Sequence, residues 1–189
     1  LGPGALHLCV NEGKLGVTLD LSTASGRDLF LRLVALADIV IENFEPRVLP
    51  QLALGYDVLA RVNPRIVLTS ISNFGSIGPY RDFHGRELTV FAMGGHMYKA
   101  GVSGRPPVRM GGHPAQYLAA ISAAYATLVA LRVAEKEGVG QHVDFSILES
   151  QVTSHAQAMV EVSYYGEETG ARTPRSGGQL GRRLMARDG

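Results

Sequence analysis

Two stretches set the architecture: Asp38-Ile39-Val40-Ile41-Glu42-Asn43-Phe44-Glu45-Pro46 and Ile66-Val67-Leu68-Thr69-Ser70-Ile71. Each opens on a short run rich in β-branched residues, the composition of a strand buried on both faces of a parallel sheet. Between them, Tyr56 to Val62 reads as a short helix that must end at Asn63-Pro64, because the residue before a proline is pushed out of the helical region. Upstream, Gly16-Val17-Thr18-Leu19-Asp20-Leu21 alternates apolar and polar residues and predicts a further strand. Ser22 and Thr23 then offer side-chain caps for a helix over about 25–37, with Leu29, Phe30, Leu33, Val34 and Ala37 on one face. Strand alternating with helix is the rhythm of a parallel α/β sheet, whose ligands sit beyond the carboxyl ends of the strands. The segments at those ends are Glu42 to Arg47 and Ser72 to Tyr80, the second rich in Gly, Pro and small polar residues.

The rest of the chain reads as mostly helical. A helix near Glu87 to Gly94 leads into a loop over 101–112 that holds Arg105, Pro106, Pro107 and Arg109. Pro114 suits the first position of a long alanine-rich helix, and Gly138 suits its C-terminal cap. Ala115 to Ala134 has the length of a membrane span, about 20 residues. Gln116, Ser122, Thr127 and Arg132 interrupt it, and its many alanines make it weakly hydrophobic, so it is read as a buried helix of a soluble protein. A last helix is expected over Asp144 to Tyr164, with Phe145, Leu148, Val152, Met159 and Val162 as a core or interface stripe. Residues 166–189 are rich in glycine and arginine and read as an extended loop.

Composition excludes several classes of function. The chain has 189 residues, 46% hydrophobic and 19% charged, the balance of a globular domain. Its 18 Lys and Arg against 17 Asp and Glu leave a formal charge of +1, too little for a basic field that would hold nucleic acid or an acidic membrane. The single cysteine, Cys9, cannot form an internal disulfide, and no secretory leader pattern opens the sequence, so a reducing cytoplasm is expected. The 6 histidines show neither an H-x3-H nor an HExxH spacing, so no metal site is expected. There is no GxGxxG after the first strand, no phosphate loop of the GxxxxGK type and no GxSxG elbow. The chain begins at Leu1 and stops at Arg187-Asp188-Gly189, and it is expected to be a fragment of a longer polypeptide.

Weak signals become specific in their order. Asn11 to Asp20 (NEGKLGVTLD), Asp38 to Pro46 (DIVIENFEP), Leu54 to Leu59, Asn63-Pro64-Arg65, Ser72 to Tyr80 and Gly138 to Asp144 (GVGQHVD) follow one another at one set of separations. Together they resemble the family III CoA-transferases, which include formyl-CoA and carnitine-CoA transferases and related acyl-CoA racemases. The resemblance implies an α/β fold: a Rossmann-like parallel sheet with flanking helices, followed by long helices, as part of an interlocked dimer. It makes residues 1–165 part of the large domain and 166–189 a linker leading out of it. It also implies coenzyme A or acyl-CoA as substrate and a homodimer or heterodimer with a related chain.

Residue by residue, the resemblance places Lys14, Asn43 and Phe44 at the nucleotide end of the CoA site. A cation for phosphate and an aromatic wall for adenine suit that role chemically. A family arginine falls at Gln51, and Arg47 is the candidate to replace it. The family's nucleophilic aspartate, at the head of the alanine-rich helix, falls at Gln116. No aspartate lies between Asp82 and Asp144, and the only glutamates there are Glu87, Glu135 and Glu137. In the racemase branch a Gly-His-Asp triplet supplies the base; here the triplet is Gly85-Arg86-Glu87, and arginine stays protonated. Glu87 is expected near the site, paired with Arg86 or another cation, and Gly177 and Gly178 match a mobile glycine loop.

Three readings follow. The chain is a non-catalytic half or subunit whose partner supplies the aspartate. Alternatively it is an active acyl-CoA transferase using Glu87, or a CoA-binding assembly module without turnover.

Overall fold

The computed structural model describes residues 4–101 and 105–165. Helix α1 (Ala5–Val10) comes first, buries no residue, and carries Cys9 exposed. The sheet has three parallel strands in chain order: β1 (Ile39–Glu42), β2 (Val67–Ser72) and β3 (His142–Ser146). Ile39 pairs with Val67 and Glu42 with Ser70, while Leu68 pairs with His142 and Ser72 with Ser146. Parallel neighbours need crossover connections, which the helices between the strands supply.

Side chains alternate across β2, and each face has its own cover. On one side α2 (Ala24–Val34), α3 (Val48–Gln51) and α4 (Tyr56–Val62) bring Val34, Leu49 and Leu59 onto Leu68. Leu59 is wholly buried, a gain of roughly 1.5–3 kcal/mol over exposure. Asn63 seals this layer: its Nδ2 donates to the Val34 carbonyl at 3.2 Å and to the Ala37 carbonyl at 2.8 Å, satisfying the open end of α2. Thr23 caps the other end, its Oγ1 accepting from the Gly26 amide at 3.0 Å, as expected from its type and position. On the opposite face α7 (Pro114–Glu137) lays Ala130 and Ala134 on Val67. A third cluster, Phe74, Val90, Phe91 and Ala115, joins α5 (Glu87–Met93) to the head of α7, next to α6 (His96–Lys99) and α8 (Ile147–Thr153).

Pro114 opens α7 and Gly138 closes it in the left-handed conformation at φ 74°, both as read from the sequence. Gly140 has a different reason to be glycine: a methyl group there would overlap the Ile66 carbonyl, so the backbones of the 138–141 turn and of β2's entry pack in direct contact.

Three expectations are corrected. Residues Gly16 to Leu21 form no strand, because among the described residues no strand lies beside them to accept their backbone bonds; Leu15 and Val17 are exposed there. The segment expected as one helix over 144–164 begins as β3, because its backbone bonds to β2. Ser146 then caps α8, its Oγ accepting from the Glu149 amide at 3.2 Å. A turn at Ser154 and His155 separates α8 from α9 (Ala156–Tyr165), so the expected stripe is divided between elements and Val152, Met159 and Val162 are exposed. Finally, α7 is buried along one line only, Ala115, Ala119, Ala123, Thr127, Ala130 and Ala134. Its other side shows Ile121, Tyr125 and Leu128, and by length and composition alone the helix would be long and apolar enough to cross a membrane. Residues 166–189, with Gly177 and Gly178, lie outside the described residues.

Candidate functional site

Strands β1 and β2 end side by side, and the loops that leave them form the walls of a cavity of about 980 Å³. That volume is in the range of small-molecule sites. The loop after β1 contributes Asn43, Phe44 and Arg47; the loop after β2 contributes Asn73, Phe74 and the run from Arg81 to Gly85. The start of α5 and the first turns of α7 complete it with Arg86, Glu87, His113, Gln116, Ala119 and Ala120.

The loop after β2 is fixed at several points. Asp144 accepts from the Ser76 amide at 2.9 Å and from its hydroxyl, tying the loop to β3. Asn73 donates to the Gly85 carbonyl at 2.9 Å, closing the loop on itself. Tyr80 and Phe83 stand 5.3 Å apart, ring centre to ring centre, and both pack on Phe74. Two polar contacts then latch this loop to the one after β1. Arg47 pairs with Asp82, its Nε donating at 2.9 Å, and His84 meets Glu45 at 3.0 Å. The Arg47 hydrogen bond is the largest reason that the Asp82 carboxyl lies below its usual range, and the same bond raises Arg47. Arg81 adds a second cation to Asp82 at 3.3 Å.

The head of α7 is held from two sides. Glu87 accepts from the Ala115 amide at 2.8 Å and from the Gln116 amide at 3.2 Å, satisfying two of the donors that a helix start leaves open. Its negative charge also faces the positive end of the helix. From α8, the buried Gln151 donates to the Ala115 carbonyl at 3.1 Å. Gly94 makes room for Gln151, since a methyl group there would collide with its Cβ. Gln116 is thus presented to the cavity on a braced turn.

Of the residues singled out from the sequence, Asn43, Phe44, Arg47, Arg86, Glu87 and Gln116 meet at this cavity. Lys14 does not line it: its Nζ donates to the Val10 carbonyl at 2.8 Å and to Asn11 Oδ1 at 3.1 Å, closing its own turn. Gln51 lines a smaller hollow beside it with Arg47, Ser76 and Arg81. Glu87 corrects an expectation, since its partners are backbone amides and not Arg86. Arg47 is likewise neutralised in place by Asp82. Sequence reasoning missed Asp82, His84, Glu45 and Gln151, whose partners are distant in sequence; the only local hint is the clustering of charge over Arg81 to Glu87.

The model of CoA-transferase family III matches residues 1–186. The succinyl-CoA:(R)-benzylsuccinate CoA-transferase subunit BbsE of Thauera aromatica is 37% identical over 145 residues, which cover 77% of this chain and 35% of that protein. The succinyl-CoA–L-malate CoA-transferase beta subunit of Chloroflexus aurantiacus is 37% identical over 144 residues, covering 76% of this chain and 36% of that protein. The crystal structure of a CAIB/BAIF family protein from Brucella suis superposes with a TM-score of 0.80 at 33% identity, over 85% of this chain and 42% of that one. The structure of Rv3272 from Mycobacterium tuberculosis gives 0.75 at 28% identity, over 82% and 44%. The chain therefore spans well under half the length of these relatives. A match running nearly end to end, together with shared architecture, shows that this chain belongs to CoA-transferase family III.

Proposed function

We propose that this chain is the acyl-CoA-holding, non-catalytic part of a CoA-transferase, and that the nucleophilic aspartate is supplied by a related chain or segment. The observation that carries the reading is Gln116 on the first turn of α7, facing the cavity where the family resemblance places that aspartate. A neutral carboxamide has no ionised oxygen with which to attack a thioester, so it cannot carry the acyl group or CoA as a covalent intermediate. The carboxylates that do line the cavity are engaged: Asp82 by Arg47 and Arg81, Glu45 by His84, and Glu87 by two amides. Attack by Glu87 would require it to leave the helix start it caps, which disfavours an active transferase built on that residue. Phe44 and Asn43 offer a wall and a polar edge for the nucleotide, while Lys14 stands off the cavity.

Two similar proteins are named as subunits of CoA-transferases, which supports a homodimer or heterodimer with a related chain. Cys9 as the only cysteine suits a cytoplasmic setting. The test is covalent trapping on the complete protein. Incubated with succinyl-CoA and a carboxylic acid acceptor, then quenched and weighed intact, the native protein should show no adduct at this chain. Gln116→Asp should capture a CoA thioester on residue 116. An adduct on the native chain, at Glu87 or elsewhere, would defeat the reading.

A further inference from the structure

Two histidines pack together outside the cavity, beside the helices that brace the head of α7. His96 on α6 and His155 in the turn after α8 have ring centres 4.0 Å apart, and neither lines the cavity. His96 also stacks on Phe91 of α5 and shares a 2.7 Å hydrogen bond, through Nε2, with the Ser154 hydroxyl. Proton counting gives that bond its direction. Ser154 has one hydroxyl proton, which goes to the Gln151 carbonyl at 2.6 Å, so Nε2 must be the donor. Nδ1 is then the atom at which neutral His96 can take up a further proton. The charge so formed would sit half-buried between an aromatic ring and a second imidazole. Among the described residues His155 is the titratable group that acts on His96, while its other neighbours, Phe91, Gln151 and Ser154, carry no charge.

From this ring a continuous chain of contacts runs to the cavity. Ser154, which ends α8, hangs on the Gln151 carbonyl; the buried Gln151 side chain donates to the Ala115 carbonyl at 3.1 Å; and Gln116, next along, lines the cavity. The corner that leads from α5 into α6 rests on the same glutamine, because a methyl group at Gly94 would lie 2.2 Å from Gln151 Cβ. Gln151 is therefore held toward His96 from two directions, through Ser154 and through the Gly94 backbone. An imidazolium at position 96 must leave this packed site for water, and its departure pulls on α6 and on the Ser154 turn together. We infer that His96 is a proton-operated positioning residue: neutral, it locks the brace on the head of α7, and protonated, it releases that brace and weakens the hold on the ligand. The identity of the ligand as a CoA species rests on the proposed function. The sign follows from the competent state being the neutral one. Affinity is full above 6.5 and falls as pH drops through the lower folded value.

The test is calorimetric binding of acetyl-CoA to the complete protein at about pH 7.5 and about pH 5, native against His96→Gln. The glutamine amide keeps a donor for Ser154 and cannot charge, so it imitates the neutral ring at both pH values. Any change that belongs to the ligand, or to the cavity histidines His84 and His113, is shared by the two proteins. Native protein should lose about fivefold or more in affinity relative to the variant on going to the lower pH. Linkage requires the reverse effect as well: saturating acetyl-CoA should lower the NMR titration midpoint of the His96 ring. Equal losses in the two proteins, or a midpoint that the ligand leaves unmoved, overturn the inference while the reading of the chain as a CoA-holding half stands. Loss of the native circular dichroism spectrum at the lower pH also overturns it, because the response would then be global unfolding. Failure of native protein to bind acetyl-CoA at either pH ends both.

Discussion

The Glu87 carboxylate and the Ala115 amide meet at 2.8 Å and join the start of α5 to the start of α7 across 28 residues of sequence. One side chain thereby sets where Gln116 stands. Replacing Glu87 with alanine strands two helix-start donors and removes a charge that faces the helix dipole, a loss of about 1–3 kcal/mol. Glu87→Gln keeps one acceptor oxygen but turns its amide group toward the second donor, so it should recover only part of that loss. Urea unfolding midpoints check the order native, Gln, Ala. A Gln variant as stable as the native protein would show that the second bond contributes nothing.

The latch between the two cavity loops should be sensitive to strong acid. Hydrogen bonding to Arg47, aided by Arg81, lowers Asp82 from its ordinary 3.8. The folded value is thus below the unfolded one, and the contribution is complete above 3.8 and fades as pH falls through the lower folded value. Amide exchange over 76–83 should quicken in that acid window more in native protein than in Asp82→Asn, which lacks the titrating group. Equal acceleration in both would show that Asp82 is not the source of the effect.

His96 gives a second pH dependence, nearer neutrality. Its ring stacks on Phe91 at 5.3 Å between centres, lies 4.0 Å from the His155 ring, and shares a 2.7 Å hydrogen bond with the Ser154 hydroxyl. Burial first, and then the neighbouring His155, lowers His96 below 6.5, against a hydrogen bond to the Gln151 backbone that raises it. The unfolded chain then takes up the proton more readily, so stability is full above 6.5 and declines as pH drops through the lower folded value. Unfolding midpoints between about pH 7.5 and 5 should fall in native protein and flatten in His96→Gln. Parallel pH profiles for the two proteins would remove His96 as the source.

How much of this was legible in the sequence depends on how local each cause is. Thr23, Asn63-Pro64, Pro114 and Gly138 act within a turn of their own positions, and the elements they bound stand where their chemistry puts them. The β-branched runs at Ile39 and Ile66 could be read because a buried parallel strand is apolar on both sides. Alternation over Gly16 to Leu21 misled, since a strand is made by its neighbour and none lies there among the described residues. Spacing alone also could not separate strand from helix after Asp144, where pairing with Ser70 decides the matter. At the cavity, sequence order brought Asn43, Phe44, Arg86, Glu87 and Gln116 together, but the partners of Glu87 are backbone amides, which leave no mark in a sequence.

The buried pair Thr69 and Thr127, whose hydroxyls are 2.7 Å apart between β2 and α7, supports an asymmetric prediction. Thr127 Oγ1 also lies 2.7 Å from the Ala123 carbonyl of its own helix, and its single proton is best used there. Thr69 must then be the donor in the shared bond. Thr127→Val would leave the Thr69 hydroxyl with a proton and no acceptor in a dry interface, at a cost of about 1–3 kcal/mol. Thr69→Val removes a donor while Thr127 keeps its helix carbonyl, so it should cost less. The double valine variant deletes both polar groups and should be more stable than Thr127→Val alone, with a coupling energy of about 0.5–3 kcal/mol in the mutant cycle. Denaturant midpoints for the four proteins decide it. If Thr69→Val proves the more damaging single change, the proton runs the other way, from Thr127 to Thr69, and the strand holds the helix by accepting.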